Sequence, residues 1–333
     1  MTTAPSNPVI FSGTDLLPSN WLREAQDGPV RTFNPALLRD GAGWIFAYRV
    51  VAPDGRRRLG LCRLDANLEV EDGSQVPLTD FVQFRRDHTY PEVATQWFAD
   101  PRLYRFGQRT FVYWNSGWHE PHNCQFLQEL DPVSLLPRGP ARELALQGER
   151  QKLEKNWTFF SPDDDGELFA VYSIMPHRIL TFSLAGDNEV VFRDLARTEW
   201  DLNTYPANHG GLRGGSPPFR HQGQYWAFAH SVHTSPEGYR YAAAAYSFSP
   251  AFPFAPTSRP HAPLQLGNPF GSTRINERLN PAVGEVIYPC GAVHDGRQWL
   301  ISYGINDETC AIGRIDHADV VRSVEPISAR GSS

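Results

Sequence analysis

Apolar and polar residues alternate in short runs along most of the chain, and turn formers separate the runs. FNPALLRDGAGWIFAYRV (33–50) reads as a strand, a turn on Asp40-Gly41 and a second strand of alternating large apolar residues. RRLGLCRLDANLEV (57–70) follows as a third strand that closes on Leu64-Asp65. The same order returns in ADPRLYRFGQRTFVYWNSG (99–117) with CQFLQELDPVSLLP (124–137), where Leu130-Asp131 takes the place of Leu64-Asp65. It returns again in KNWTFFSPDDDGELFAVYS (155–173) with HRILTFSLAGDNEVVF (177–192), and in GGSPPFRHQGQYWAFAHS (214–231) with YRYAAAAYSFSPAFPF (239–254). A fifth unit is YPCGAVHDGRQWLISYG (288–304) with TCAIGRIDHADVV (309–321).

With Asn34, Asp100, Asn156, Ser216 and Cys290 taken as equivalent starts, the units are spaced by 66, 56, 60 and 74 residues. A sheet of three or four antiparallel strands cannot bury both of its faces alone. Five such sheets packed radially bury each other and protect their edges. The pattern predicts an all-β, five-bladed β-propeller over 33–322, with 1–32 as a segment packed on it and 323–333 as a tail. A β-sandwich is the alternative, and it explains the repeated order less well.

Composition agrees with many turns and few helices: 28 Pro, 27 Gly and 12% aromatic residues. The 31 basic and 37 acidic residues give a net charge of -6 without a long run of either sign. That distribution argues against a nucleic-acid surface or a polybasic membrane surface and favours a small-molecule partner. No apolar run approaches the roughly 18 residues that span a bilayer, and the N-terminus lacks the basic and apolar regions of a leader, so a soluble, cytoplasmic protein is expected. Cys62, Cys124, Cys290 and Cys310 have neither zinc-ribbon spacing nor the density of a disulfide scaffold, and read as buried free thiols.

In a propeller the start of each first strand and the end of each second strand open on one face. The intervals from start to end are nearly equal: Arg49 follows Asn34 by 15 positions, Asn115 follows Asp100 by 15, Ser173 follows Asn156 by 17, His230 follows Ser216 by 14 and Tyr303 follows Cys290 by 13. Such intervals put these residues on a common rim. Polar side chains gather there: Asn34, Arg49, Asp100, Asn115, Lys155, Asn156, His230 and, beyond the last strand, Asp307. A mouth lined by an acid, cations and amides suits a polyol carrying an anionic group. Lys152 and Lys155 are the only two lysines in a chain that otherwise uses arginine. A compact ammonium at a blade start differs from a planar guanidinium fork, which favours function for Lys155 over a solvated loop cation.

Carried by these residues, the motifs FNPALL…YRV, ADPRLYRF, EKNW, GGSPPF…FAHS and YPCGAV…SYGINDE, in this order, resemble glycoside hydrolase family 130 and the related β-mannosyl-transferring enzymes of glycosyltransferase family 108. The likeness spans 33 to about 316. It implies a five-bladed propeller acting on β-mannosides, commonly by phosphorolysis with inversion. It implies Asp100 as general acid, Arg49, Lys155 and His230 as a phosphate pocket, and Asn34 and Asp307 as ligands of sugar hydroxyls. Where the family's phosphorylases usually read Glu-Asp-Pro-Arg, this chain has Ala99, and losing that carboxylate changes the acid's pKa or the sugar subsite.

Each residue also has a plainer role. Asp100 before Pro101 suits a turn, yet an unpaired carboxylate facing a channel is costly unless bonded or used. As an acid it must hold its proton near neutral pH through partial burial. Arg102 is either a substrate ligand or a structural contact of Asp100. Arg49 closes the apolar run WIFAYRV, where a guanidinium fork suits phosphate or pyrophosphate. GGLRGGSPP (210–218) lacks phosphate-loop spacing and reads as a close entry to the channel, with Ser216 facing substrate and Arg213 a further anion ligand. Trp157, more than Trp114 or Trp118, is the candidate to stack on a sugar. His119 and His122 flank a proline that prevents helical alignment, so no metal is expected.

The sequence therefore predicts inverting transfer of a β-mannosyl group to or from phosphate, with no cofactor beyond inorganic phosphate or a sugar nucleotide as co-substrate. The partner is an oligosaccharide or sugar phosphate. Transfer from a sugar nucleotide and inverting hydrolysis are alternatives, the latter needing a base from among Glu92, Glu120, Asp307 and Glu308. A noncatalytic sugar-binding propeller is the rival outside enzymology.

Overall fold

Strands form in the order that the alternation sets out, and the chain is mostly β. The computed structural model describes residues 7–23, 28–120, 122–148, 150–162, 166–186, 189–236, 238–274, 277 and 279–327. After β1 (Val9–Phe11) and the single-turn helices α1 (Gly13–Leu16) and α2 (Ser19–Leu22) comes a first meander of β2 (Arg31–Asp40), β3 (Gly43–Val51) and β4 (Arg57–Leu64). Gly41, at φ +59°, makes the turn between β2 and β3. Two more short helices, α3 (Leu78–Phe81) and α4 (Glu92–Gln96), lead to the second meander: β5 (Ala99–Phe106), β6 (Arg109–Asn115), β7 (Gln125–Leu130) and β8 (Pro137–Leu146).

The third meander is β9 (Thr158–Phe160), β10 (Leu168–Ser173), β11 (His177–Phe182) and β12 (Val190–Thr198). The fourth follows α5 (Tyr205–His209) and starts in two pieces, β13 (Gly211–Arg213) and β14 (Phe219–His221), before β15 (Gln224–Ser235), β16 (Gly238–Phe248) and β17 (Pro256–Pro260). Pro217 and Pro218 have no N–H for the ladder, and side chains at Gly214 and Gly215 would collide with the backbone oxygens of Asn156 and Phe228, so the strand breaks there. The fifth is β18 (Val283–His294), β19 (Gln298–Ile305) and β20 (Thr309–Asp316), followed by α6 (His317–Arg322) and β21 (Val324–Pro326). Pairing within each meander is antiparallel, while β8 with β12 and β16 with β18 are parallel.

Period-two burial explains the packing. In β3, Ile45 and Ala47 point into one apolar cluster, and Trp44, Phe46, Tyr48 and Val50 into another. The first cluster joins the first two meanders through Leu103, Val112 and Trp114. Further clusters join the second to the third around Phe159, the third to the fourth around Tyr246, and the fourth to the fifth around Trp299. The cluster around Phe46 joins the fifth to the first through Leu300, Cys310 and Ile312. Phe46 is fully buried between two sheets, so truncating it to Ala is expected to cost about 3–5 kcal/mol.

The N-terminal segment contributes Phe11, Leu16, Leu17 and Trp21 to that last cluster, and β1 extends the fifth meander by pairing with β20. From the expected tail, β21 pairs with β17, while 328–333 lie outside the described residues. Cys62, Cys124, Cys290 and Cys310 are free and buried. Among the described residues no helix is long and apolar enough to cross a membrane.

Candidate active site

Three of the five unit starts share a backbone device. Phe33 lies opposite Arg49, Ala99 opposite Asn115 and Pro289 opposite Tyr303, and in each pair of strands the ladder then slips, between Phe33 and Ala36, Ala99 and Arg102, or Pro289 and Gly291. Asn34 and Asp100 occupy the first two slips at φ +52° and +53°, and Asn156, just before β9, is at +65°. A non-glycine residue in this left-handed region costs on the order of 1–3 kcal/mol, and functional sites are where such strain collects. Pro35 and Pro101 follow directly and remove the N–H that would restore regular pairing. The bulge turns Asn34 and Asp100 out of the strand alternation and toward the centre.

They meet there. The Asn34 side-chain amide donates to Asp100 Oδ1 at 2.8 Å, and Arg49 Nη1 lies 3.5 Å from the same oxygen. Both Asn34 and Asp100 border a cavity of about 440 Å³, as do Arg49, Asn115, Lys155, His230 and Asp307. Seven predicted site residues from all five meanders or their flanking loops are thus brought to one space. Asn34 Oδ1, Arg49 Nε and His230 Nδ1 are buried without a hydrogen-bond partner. Buried orphan polar atoms are uncommon, and three at one cavity mark a place where a polar ligand supplies the missing bonds.

The charges at the cavity differ from expectation in two respects. Burial raises the Asp100 carboxyl, but the charges of Arg49, Lys155 and Arg102 and the Asn34 hydrogen bond outweigh it and hold the pKa below the ordinary value. The expected acid that keeps its proton through burial is instead a carboxylate in the ligand-free protein. His230, 1% exposed in the middle of β15 and against the Tyr288 ring at 4.3 Å, is pushed well below its ordinary value by burial and then by Arg213, Lys155 and Arg102. It is a neutral imidazole and not a member of a cation cluster. The cations that line the cavity are Arg49, Arg57, Lys155 and Arg213. Burial also lowers the Lys155 ammonium, against the pull of Asp100.

Asp307 is the opposite case. Burial raises its carboxyl, with Asp100 and Glu308 adding to the rise against Arg49 and Arg274. Its backbone is fixed by Asn306, and both residues have φ +58°. The Asn306 amide donates to Gly271 O at 2.9 Å and Thr273 O at 3.1 Å, and its Oδ1 accepts from Val286 N at 3.1 Å.

Four predicted substrate ligands do not line the cavity. Arg102 is 1% exposed and donates to the carbonyls of Asp100, Pro101 and Gly215, so it braces the Asp100 backbone from behind. Asn156 Oδ1 accepts from the Tyr288 hydroxyl at 2.8 Å, and Ser216 Oγ accepts from Phe228 N at 3.1 Å. Trp157 packs against Tyr172 and Phe192, each at 5.1 Å, because period-two alternation from β9 aims it into the core. Of the proposed bases, Asp307 alone borders the cavity among the described residues. Lys152 pairs with Glu120 and stands over Trp118 at 5.5 Å. No group of three or more His, Cys, Asp or Glu among the described residues is placed to hold a metal, and His119 bonds Ser116 Oγ at 2.7 Å. Pro121, between the two histidines, lies outside the described residues.

Sequence reasoning missed Arg57, Trp97, Tyr241 and Tyr288, which also line the cavity. The Arg57 guanidinium sits 3.8 Å from the Trp97 ring centre, and burial with the charge of Arg49 lowers it to about 10. In the run Arg56-Arg57-Arg58 nothing marks the middle residue. Tyr288 is marked in the sequence only by standing two positions before the unit start Cys290.

No family model matches the chain, and no curated protein matches it in sequence. Its structure matches that of β-1,2-mannobiose phosphorylase from Listeria innocua, solved with β-1,2-mannobiose, at TM-score 0.62 and 14% identity, covering 95% of this chain and 99% of that one. It matches a structure from the GH130 family, described as mannoside phosphorylases that include hydrolases targeting β-1,2-mannosidic linkages in Candida mannan, at TM-score 0.62 and 14% identity over 86% and 85%. A GDP-Man-dependent mannosyltransferase from Leishmania mexicana matches at TM-score 0.53 and 10% identity over 86% and 85%. The families that the sequence motifs resemble are thus those found among the matching structures, and the chain has their fold.

Proposed function

We propose that this protein is a five-bladed β-propeller enzyme that transfers a β-mannosyl group with inversion, to or from inorganic phosphate. Five meanders, joined in chain order by apolar clusters that also link the last to the first, support the propeller. The observation that carries the chemistry is the Asp100 carboxyl, bonded by Asn34 and Arg49 at a cavity that also presents Lys155, Arg213 and a neutral His230.

Phosphate enters among Arg49, Lys155 and Arg213, with His230 as a neutral hydrogen-bond partner. Its negative charge cancels the pull that keeps Asp100 ionised, so the carboxyl takes up a proton once phosphate is bound. A phosphate oxygen then attacks the anomeric carbon from the face opposite the leaving sugar. As that bond forms, the glycosidic carbon–oxygen bond breaks and its electron pair stays on the leaving oxygen. Asp100 delivers its proton there, directly or through a sugar hydroxyl, and Asn34 and Arg49 stabilise the carboxylate it leaves behind. Products are a sugar 1-phosphate of inverted configuration and the shortened glycan. Asn115 and the sugar-facing side of Asn34 orient hydroxyls.

Asp307 favours one second reading. It puts another carboxyl at the same cavity, and ionised it could activate water for inverting hydrolysis.

The test is β-1,2-mannobiose incubated with and without inorganic phosphate, with sugar 1-phosphate and free sugar measured. Phosphate-dependent release of sugar 1-phosphate is expected. Equal release of free sugar without phosphate replaces phosphorolysis by hydrolysis, and product formed only from GDP-mannose replaces it by transfer from a nucleotide. Binding without turnover in every arm leaves a sugar-binding protein.

A further inference from the structure

Arg57 borders the catalytic cavity and has no carboxylate partner among the described residues. It opens β4 opposite Val51 and bridges to Trp97, whose ring centre lies 3.8 Å from the guanidinium carbon. Trp97 is held in turn by Gly117. At φ +72° that residue lies so close to the indole that any side chain would collide with it, and its N–H donates to Asn115 Oδ1 at 3.0 Å. Stacking sets the guanidinium face against the ring and leaves its edge for other partners. Nη1 donates to Gly55 O at 2.7 Å, while Nε and Nη2 have no hydrogen-bond partner among the described residues.

A guanidinium anchored in this way and partly desolvated is costly unless an anion meets it. Phosphate bound among Arg49, Lys155 and Arg213 leaves Arg57 unmatched. Arg213 acts on Lys155 and His230, whereas Arg49 is the only charge among the described residues that shifts Arg57. Arg57 and Arg213 therefore stand at different ends of the cation set. Inversion requires two such ends, because entering phosphate and departing sugar lie on opposite faces of the anomeric carbon.

We propose that Arg57 binds an oxyanion, a phosphate monoester or a carboxylate, carried by the sugar that leaves in phosphorolysis and accepts in synthesis. The inference rests on the mannosyl-transfer reading above and names its acceptor class. The Nε–Nη2 edge of a guanidinium matches either group with two parallel hydrogen bonds. In synthesis an acceptor hydroxyl oxygen attacks the anomeric carbon of the sugar 1-phosphate. The bond from that carbon to the phosphate oxygen breaks, phosphate leaves with the electron pair, and Asp100 takes the hydroxyl proton. Arg57 takes no part in these bond changes; it holds the acceptor's anion so that the hydroxyl faces the carbon.

Initial rates of phosphate release from α-mannose 1-phosphate test the assignment, with mannose, mannose 6-phosphate and mannuronic acid as acceptors for wild type, Arg57→Gln and Arg57→Lys. Wild type should favour one anionic acceptor over mannose by about tenfold or more in kcat/KM, and the favoured one tells monoester from carboxylate. Arg57→Gln should bring that ratio close to one, and Arg57→Lys should keep part of it. The ratio is taken within each variant, so a general loss of activity cancels. Calorimetric titration of the same acceptors reads it in a variant that binds without turnover. Equal or better use of mannose by wild type, or a preference that survives in Arg57→Gln, overturns the acceptor site and leaves mannosyl transfer standing. Failure of wild type to release phosphate with any acceptor overturns the mannosyl reading itself, and the acceptor site with it.

Discussion

The Asn34 amide and the Asp100 carboxylate, 66 positions apart, bond at 2.8 Å from two bulges with nearly the same left-handed backbone, φ +52° and +53°. Two strained strand starts thus hold one carboxyl, and removing its proton tests the role directly. Asp100→Asn should lower kcat by about 10²–10⁴-fold while sugar affinity changes little, as measured by steady-state kinetics beside calorimetry. A sugar-binding protein would lose no turnover because it has none.

Much of this was legible in the chain itself. Nearly equal intervals brought Arg49, Asn115 and His230 to the cavity, although β15 runs on past His230 to Ser235; Ser173 and Tyr303, placed by the same rule, do not line it, and Tyr303 lies in the apolar core. Asn-Pro and Asp-Pro at 34–35 and 100–101 signalled a break in pairing, and the bulges lie there. Trp157 was misplaced because one residue's shift in a strand exchanges cavity for core. Arg102 next to the acid looked like a ligand, yet burial turned it toward backbone carbonyls. Charge state was the least legible property. It depends on sums over Arg49, Lys155, Arg102 and Arg213, which come from separate meanders, and no local motif records their distances.

Arg49 couples phosphate to the acid, so the fork matters as well as the charge. Arg49→Lys should raise the KM for phosphate about tenfold or more with a smaller change in the KM for sugar, read from initial rates at varied phosphate. An equal rise in both would place Arg49 on the sugar.

Asp307 is strained by its surroundings, which predicts a gain when its charge is removed. Its folded pKa is raised, so its contribution to stability is fully present below the unfolded value and is lost as pH rises through the folded one. At neutral pH the ionised group opposes folding. Asp307→Asn should therefore stabilise the protein at about pH 7 by ~0.5–2 kcal/mol in denaturant unfolding, with the gain vanishing near pH 3, while activity falls.

His230 has a depressed folded pKa, so the unfolded chain takes up its proton first and stability declines as pH falls below about 6.5. His230→Gln should flatten that part of the stability curve in thermal scans across pH. Because the imidazole is already neutral at working pH, the same variant should leave both limbs of the kcat profile in place.

The central claim is that bound phosphate arms Asp100. Difference infrared spectroscopy of wild type against Asp100→Asn, titrated with and without saturating phosphate, follows that carboxyl directly. Its apparent pKa should lie below the ordinary carboxylate value without phosphate and rise well above that value, toward neutral pH, when phosphate binds. A value that stays put or falls on binding phosphate would contradict the account.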